Sequence, residues 1–222
     1  MADYTTVQRL RAAMGSEVAG SHDDVLARLI MAVSRQIDRA CNRPDGFVAA
    51  AEPAAREFAG TGMAVLSIDE CLSVTLVESR TGPTEAYAAW AADDWRAFSG
   101  DAAMPDFTRT PFTALMVLPG AHAVFPSGVH SGRHSFRLSP ESLRQWSVPT
   151  VRVTARWGYA ESAPPDIETA CIIQAARLFK RGLAAFQDVG GGEGLGTLTY
   201  RRGLDPEARA ILEGGRYIRP RI

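Results

Sequence analysis

His122, His130 and His134 fall within a stretch of thirteen residues, and imidazole is the side chain that most readily binds zinc or moves a proton near neutral pH. Their intervals match no recognised zinc pattern, and Gly, Ser and Pro surround them, so they read as loop histidines. The run "GGGEGLG" (190–196) is rich in glycine. Phosphate-cradling loops follow a strand and supply a Lys-Ser or Lys-Thr pair. This run follows a helical pattern and has neither, so it reads as a flexible joint. Ser, His and Asp are all present, but no Gly-x-Ser-x-Gly turn exposes a serine. Asp69-Glu70 and Asp93-Asp94 lack metal-ligand spacing and suit solvated turns. The four Trp and nine Phe are scattered, without the basic interleaving of a single-strand binder. The expectation is therefore no catalytic residue, no cofactor and no metal.

The bulk properties exclude further classes. A chain of 222 residues with 46% apolar and 22% charged residues can bury a sizeable core. Its net charge of −1 is not the basic surface that grips duplex DNA by counterion release. No run of 18 apolar residues suggests a membrane span. "MADYTTVQRLRAAMG" lacks the apolar core of a secretory signal. Cys41, Cys71 and Cys171 are far apart and odd in number, which fits buried free thiols.

The elements come next. In "HDDVLARLIMAVSRQIDRACNR", apolar residues recur at Val25, Leu26, Leu29, Ile30, Val33, Ile37 and Cys41, the period of a helix with one buried face. Ser21 is the expected cap, Asp23 and Asp24 suit the positive end, and Pro44 with Gly46 stops the helix. A shorter helix precedes it, from about Thr5 to Met14. The middle reads as strands at 63–68, 72–78, 112–118, 134–138 and 151–157. In the last, Val151, Val153, Ala155 and Trp157 alternate with Arg152, Thr154 and Arg156, giving a buried and a wet face. Residues 86–98 fit a helix or a bent strand. The connections lack room for crossover helices, so pairing is expected to be antiparallel.

Pro164-Pro165 can start a helix. After them Ile167, Cys171, Ala175 and Leu178 form one stripe, widened by Ile172, Ala176 and Phe179. A surface that broad must be covered on more than one side, by the chain's own core or by a neighbouring subunit. Val33, Ile37, Val153, Trp157, Ile167, Cys171 and Leu178 are expected to pack together as one core. The fold class is thus α+β. Residues 1–46 are the N-terminal helices, 47–150 an inserted antiparallel β-rich region, 151–189 the last strand and core helix, and 190–222 a joint and C-terminal arm.

The arm holds six Arg against three carboxylates from Thr197 onward. It carries too little apolar surface to fold alone and enough to bind. Tyr200, Arg201, Arg202, Ile211, Leu212, Arg216, Tyr217, Ile218, Arg219 and Arg221 are the candidate interface residues. Tyr217 and Ile218 are the expected anchors, since aromatic and Arg side chains dominate interface energetics.

The order of parts resembles the head-tail connector (adaptor) proteins of tailed bacteriophages, including the HK97-type connector and related long-form connectors. The resemblance covers about 5–45 and 150–185. Its most specific piece is "VRVTARWGYAESAPPDIETACIIQAARLFKR" (151–181), in which V-x-V-x-x-x-x-G-Y precedes Pro and an apolar helix ending R-L-F-K-R. It implies a virion protein, made in the host cytoplasm and placed at the head-tail interface. There it would form a ring, commonly of twelve subunits, beneath the portal protein. The ring would join the head to the next connector, stopper or tail protein, and double-stranded DNA would pass through without sequence-specific binding. It also implies that the C-terminal part grips the portal. The competing reading is a small-molecule enzyme or binding domain built on the β-rich middle and its histidines.

Overall fold

Thr6 caps the first helix, α1 (Val7–Met14), by accepting the Arg9 N–H at 3.3 Å. The second, α2 (Asp23–Ala40), has His22 at its N-cap and Asp23 and Asp24 in its first turn, where negative charge is favoured. The expected cap, Ser21, lies outside the described residues. The computed structural model describes residues 2–15, 22–82, 84–101, 103–120, 122–128, 148–183, 189–191, 197–199 and 203–219. Two further helices follow, α3 (Pro165–Leu183) and α4 (Pro206–Gly214). Pro165 and Pro206 each stand at the first helical position, where a missing N–H costs nothing.

Residues Met1–Val48 and Ser162–Ile222 make a helical unit, and Ala49–Glu161 make a second unit inserted between α2 and α3. The helical unit is centred on α3, which packs against α1, α2 and α4. Leu26, Ile30, Val33 and Ile37 of α2 are buried, as are Ile167, Ala170, Cys171, Ala175 and Phe179 of α3. Each large aliphatic or aromatic side chain among them stabilises the unit by about 1.5–3 kcal/mol. Three helices of the same chain pack on α3 and account for its buried stripe, while Ile172, Ala176 and Leu178 stay half-buried.

The inserted unit is a seven-stranded antiparallel sheet. Its strands are β1 (Ala54–Phe58), β2 (Val65–Ser79), β3 (Ala88–Ala89), β4 (Trp95–Asp101), β5 (Met104–Asp106), β6 (Phe112–Val117) and β7 (Val151–Trp157). The order is β1-β7-β2-β6-β4-β5, with β3 paired to the end of β2. Along β7 the four apolar residues are buried, and Arg152, Thr154 and Arg156 face the other way, half-buried. Arg152 lies 3.6 Å from Glu57 and 3.5 Å from Glu78 on the flanking strands. A short pair, β8 (Val189–Gly191) with β9 (Thr197–Thr199), belongs to the chain after α3. The protein is α+β, with an antiparallel sheet inserted in a helical framework.

Several expectations change. The two strands expected at 63–68 and 72–78 are one strand, β2, whose register shifts between Ser67 and Cys71 and twice more beyond it. Such bulges let a strand carry an acidic Asp69-Glu70 pair without a turn. Residues 86–98 are neither helix nor bent strand throughout: β3, a 3-10 turn at Ala92–Asp94 and the start of β4 share them. The single core divides. Val33, Ile37, Ile167 and Cys171 belong to the helical unit, whereas Val153 and Trp157 lie in the sheet's own cluster with Leu66, Val77, Leu115 and Phe125. Leu178 is only half-buried. The strand expected at 134–138 lies outside the described residues.

Candidate functional site

The sequence leaves the C-terminal arm two places to go, a partner or the chain's own helical unit. α4 is fastened to α3. Gln174, almost fully buried, donates to Gln36 Oε1 at 3.2 Å and to the Gly203 carbonyl at 3.3 Å, and its own oxygen accepts the Asp205 N–H at 2.7 Å. Asp205 then caps α4 through the Glu207 N–H at 2.9 Å, and lies 3.5 Å from Arg177. Leu212 and Ala208 are fully buried. Beyond α4, the Tyr217 ring meets Phe47 edge-on at 5.6 Å and its hydroxyl donates to Asp166 at 3.1 Å. Arg43 Nε donates to the Tyr217 carbonyl at 3.0 Å, and the Arg219 N–H donates to the Cys41 carbonyl at 3.1 Å.

Leu212 and Tyr217 are buried in the unit's own core. Ile211 and Arg219 are half-buried, and Arg216 and Ile218 are exposed. Tyr200, Arg201, Arg202 and Arg221 lie outside the described residues. A tail folded back on its own domain was the alternative reading of the sequence, and Gln174 and Arg43, far off in sequence, hold α4 and Tyr217 in that way.

The helical unit does carry an open apolar groove, at the end where α2 begins and α3 finishes. His22, Val25, Leu29, Leu178, Phe179, Arg181 and Gly182 line a cavity of about 490 Å³. The His22 ring meets Phe179 edge-on at 5.5 Å. Val25 is 48% exposed although it belongs to the apolar stripe of α2. His22 and Arg181 are the polar side chains among the described lining. Periodicity placed Val25, Leu29 and Leu178 among the apolar positions, and it could not tell which of these the chain itself would leave uncovered.

His122 stacks on Trp90 with centroids 3.9 Å apart, and Trp90 stacks in turn on Phe125 at 5.0 Å. His122 Nε2 also lies 3.7 Å from Asp94, so this histidine packs the sheet unit. His130 and His134 lie outside the described residues. Among the described residues, no three His, Cys, Asp or Glu side chains gather as a metal-holding group. No described helix is long and apolar enough to cross a membrane. All three cysteines are free and buried. Burial pushes the Cys41 and Cys171 thiols up to about 11 and the Cys71 thiol to about 12, which leaves them protonated and poor nucleophiles near neutral pH.

One ionisable cluster is internal. Tyr4 donates its hydroxyl to Asp38, and the same oxygen accepts the Phe47 N–H at 2.9 Å. Arg35 stands 3.1 Å from the other Asp38 oxygen. Burial raises the Asp38 carboxyl above its ordinary range, against the opposing pull of Tyr4 and Arg35. Burial, with the Asp38 carboxylate beside it, raises the Tyr4 phenol as well. The cluster ties the N-terminal segment to α2 and to the loop at Gly46.

The described residues make an α+β protein with an apolar groove in its helical unit. No family model matches the chain, and no curated protein matches it either. Among solved structures it is similar to a chain of a virion of a native gene transfer agent particle, at 16% identity and a TM-score of 0.47, over 97% of this chain and 87% of that one. A likeness of that size fixes neither fold nor role.

Proposed function

We propose that the chain is a structural head-tail connector of a tailed bacteriophage, forming a ring beneath the portal that passes the genome to the next connector or tail. The observation that carries this reading is where the resembling stretches lie. The stretches 5–45 and 150–185 are separated by more than a hundred residues; the first supplies α1 and α2, the second supplies β7 and α3, and the three helices belong to one helical unit. The sheet unit is an insertion in that framework. The role is architectural rather than catalytic, in keeping with buried thiols, a histidine used for packing and an apolar groove left open. Ring closure needs two different patches on each subunit, and an uncovered apolar groove is suited to be one of them.

The test is assembly. The purified chain, alone and mixed with portal-bearing heads, is followed by mass photometry and negative-stain imaging. The expected result is a closed ring, free or seated on the portal. A chain that stays monomeric at high concentration and leaves the heads unchanged would refute the reading.

A further inference from the structure

We infer that residues 2–5 and 215–219 work as one coupled clasp: drawing Tyr217 from its seat loosens Tyr4, and freeing Tyr4 loosens Tyr217. The inference stands apart from the ring reading, because every contact it uses lies within the helical unit.

The two segments share two supports. The first is Phe47. Tyr4 meets its ring edge-on at 5.8 Å and 78°, and Tyr217 meets it edge-on at 5.6 Å and 81°. Such contacts depend on the angle between the rings, so a turn of Phe47 that follows one tyrosine changes its contact with the other. The main chain is engaged as well. The Phe47 N–H donates to the Tyr4 hydroxyl at 2.9 Å, and that hydroxyl donates to Asp38. Arg43 lies over the Phe47 ring at 4.8 Å and donates through Nε to the Tyr217 carbonyl at 3.0 Å. One guanidinium therefore ties the Tyr217 backbone to the ring that seats Tyr4.

The second support is the first turn of α3. The Thr5 hydroxyl donates to Glu168 at 3.1 Å, and the Tyr217 hydroxyl donates to Asp166 at 3.1 Å. Both acceptors are the acidic residues of that turn. Neither segment is helix or strand, so side-chain contacts of this kind, with a few main-chain bonds, give them their order. Segments held in that way open at less cost than the unit as a whole. Groups that share a partner do not contribute independently, and the coupling between them acts equally in both directions. Anything that draws Tyr217 out, a partner protein included, therefore frees residues 2–5 as well.

The experiment is hydrogen exchange on the full-length chain, read at single amides by NMR. The probes are the Tyr4 N–H, which donates to the Ser34 hydroxyl at 3.1 Å, and the Arg219 N–H, which donates to the Cys41 carbonyl at 3.1 Å. Tyr217→Ala is expected to speed exchange at Tyr4 by about tenfold or more, and Tyr4→Ala to speed it similarly at Arg219. The amides of Val33 and Ile37, inside α2, should keep the parent rate. Tyr217→Phe keeps the ring and loses only the bond to Asp166, which guards against a folding defect; it should speed Tyr4 and Arg219 together by a smaller factor. A Tyr4 amide that exchanges as in the parent, in either Tyr217 variant, overturns the coupling. Equal acceleration at Tyr4, Val33 and Ile37 overturns it too, since the whole unit would then have been weakened rather than the clasp.

Discussion

Gly158 stands in the Gly-Tyr pair of the 151–181 stretch, and its backbone geometry explains why that position excludes a side chain. Its φ is +141°, and a Cβ there would lie 2.2 Å from Ala49 Cα. The close approach is held by hydrogen bonds: Ala49 N–H to the Ala160 carbonyl at 2.8 Å, Ala50 N–H to Trp157 at 2.9 Å and Gly158 N–H to Glu70 at 2.8 Å. The clash is with main chain, so no rotamer change relieves it. Gly158→Ala is expected to lower stability by roughly 2 kcal/mol or more, seen as a lower urea midpoint; an unchanged midpoint would contradict the geometry. Asp38 gives a prediction of unusual sign. Its carboxyl is raised in the folded state, chiefly by burial. From its ordinary range near 4 up to the raised value, the native chain holds a proton that the unfolded chain has released. Stability contributed by this group therefore falls as pH rises across that window. Asp38→Asn keeps an acceptor for Tyr4 and removes the titration. The difference in urea midpoint between parent and variant should grow in favour of the variant as pH rises from 4, and a constant difference would show that Asp38 titrates normally.

Among the elements, α4 depends on its neighbours. It is nine residues long, too short to persist alone in water, so its stability comes from Leu212, Ala208 and the Gln174 bonds to its N-terminal end. Leu212→Ala should cost about 2–5 kcal/mol. A chain ending at Gly196 loses the whole element with Tyr217, and should show a markedly lower melting temperature; melting like the parent chain would mean that α4 contributes nothing to the subunit. What could be read from the sequence follows from the same physics. β7 and α3 were legible nearly to the residue, because a half-buried strand and a covered helix write their faces into period 2 and period 3.6. β1 was not: "AAREF" has one large apolar residue, and it is a strand because β7 offers it an edge. The extent of β2 was hidden by Asp69, whose charge suggests a turn but which pairs with Arg56 at 2.7 Å. The groove was invisible for a different reason: covered and uncovered apolar residues look alike until the neighbouring elements are in place.

At the scale of the whole molecule, the 151–181 stretch joins two jobs. Its first half is β7, which lies between β1 and β2 in the sheet unit, and its second half is the core helix of the helical unit, so packing accounts for its strong apolar periodicity. The insertion has its own buried cluster, and its ends are tied together by the Ala49–Ala160 hydrogen bond, so that closing it costs the sheet little extra loop entropy. Chains with their own core and adjacent ends are those that fold when excised. All four tryptophans, at 90, 95, 146 and 157, belong to it, so tryptophan emission reports this unit while the helices dominate far-UV circular dichroism. A chain of residues 49–161 is expected to unfold in one cooperative urea transition. Its emission maximum before the transition should match that of the full-length protein, because Trp90 and Trp157 are buried by residues of the same unit. Red-shifted emission without urea would mean that the sheet depends on the helical unit for its packing, and that the insertion was never an independent body.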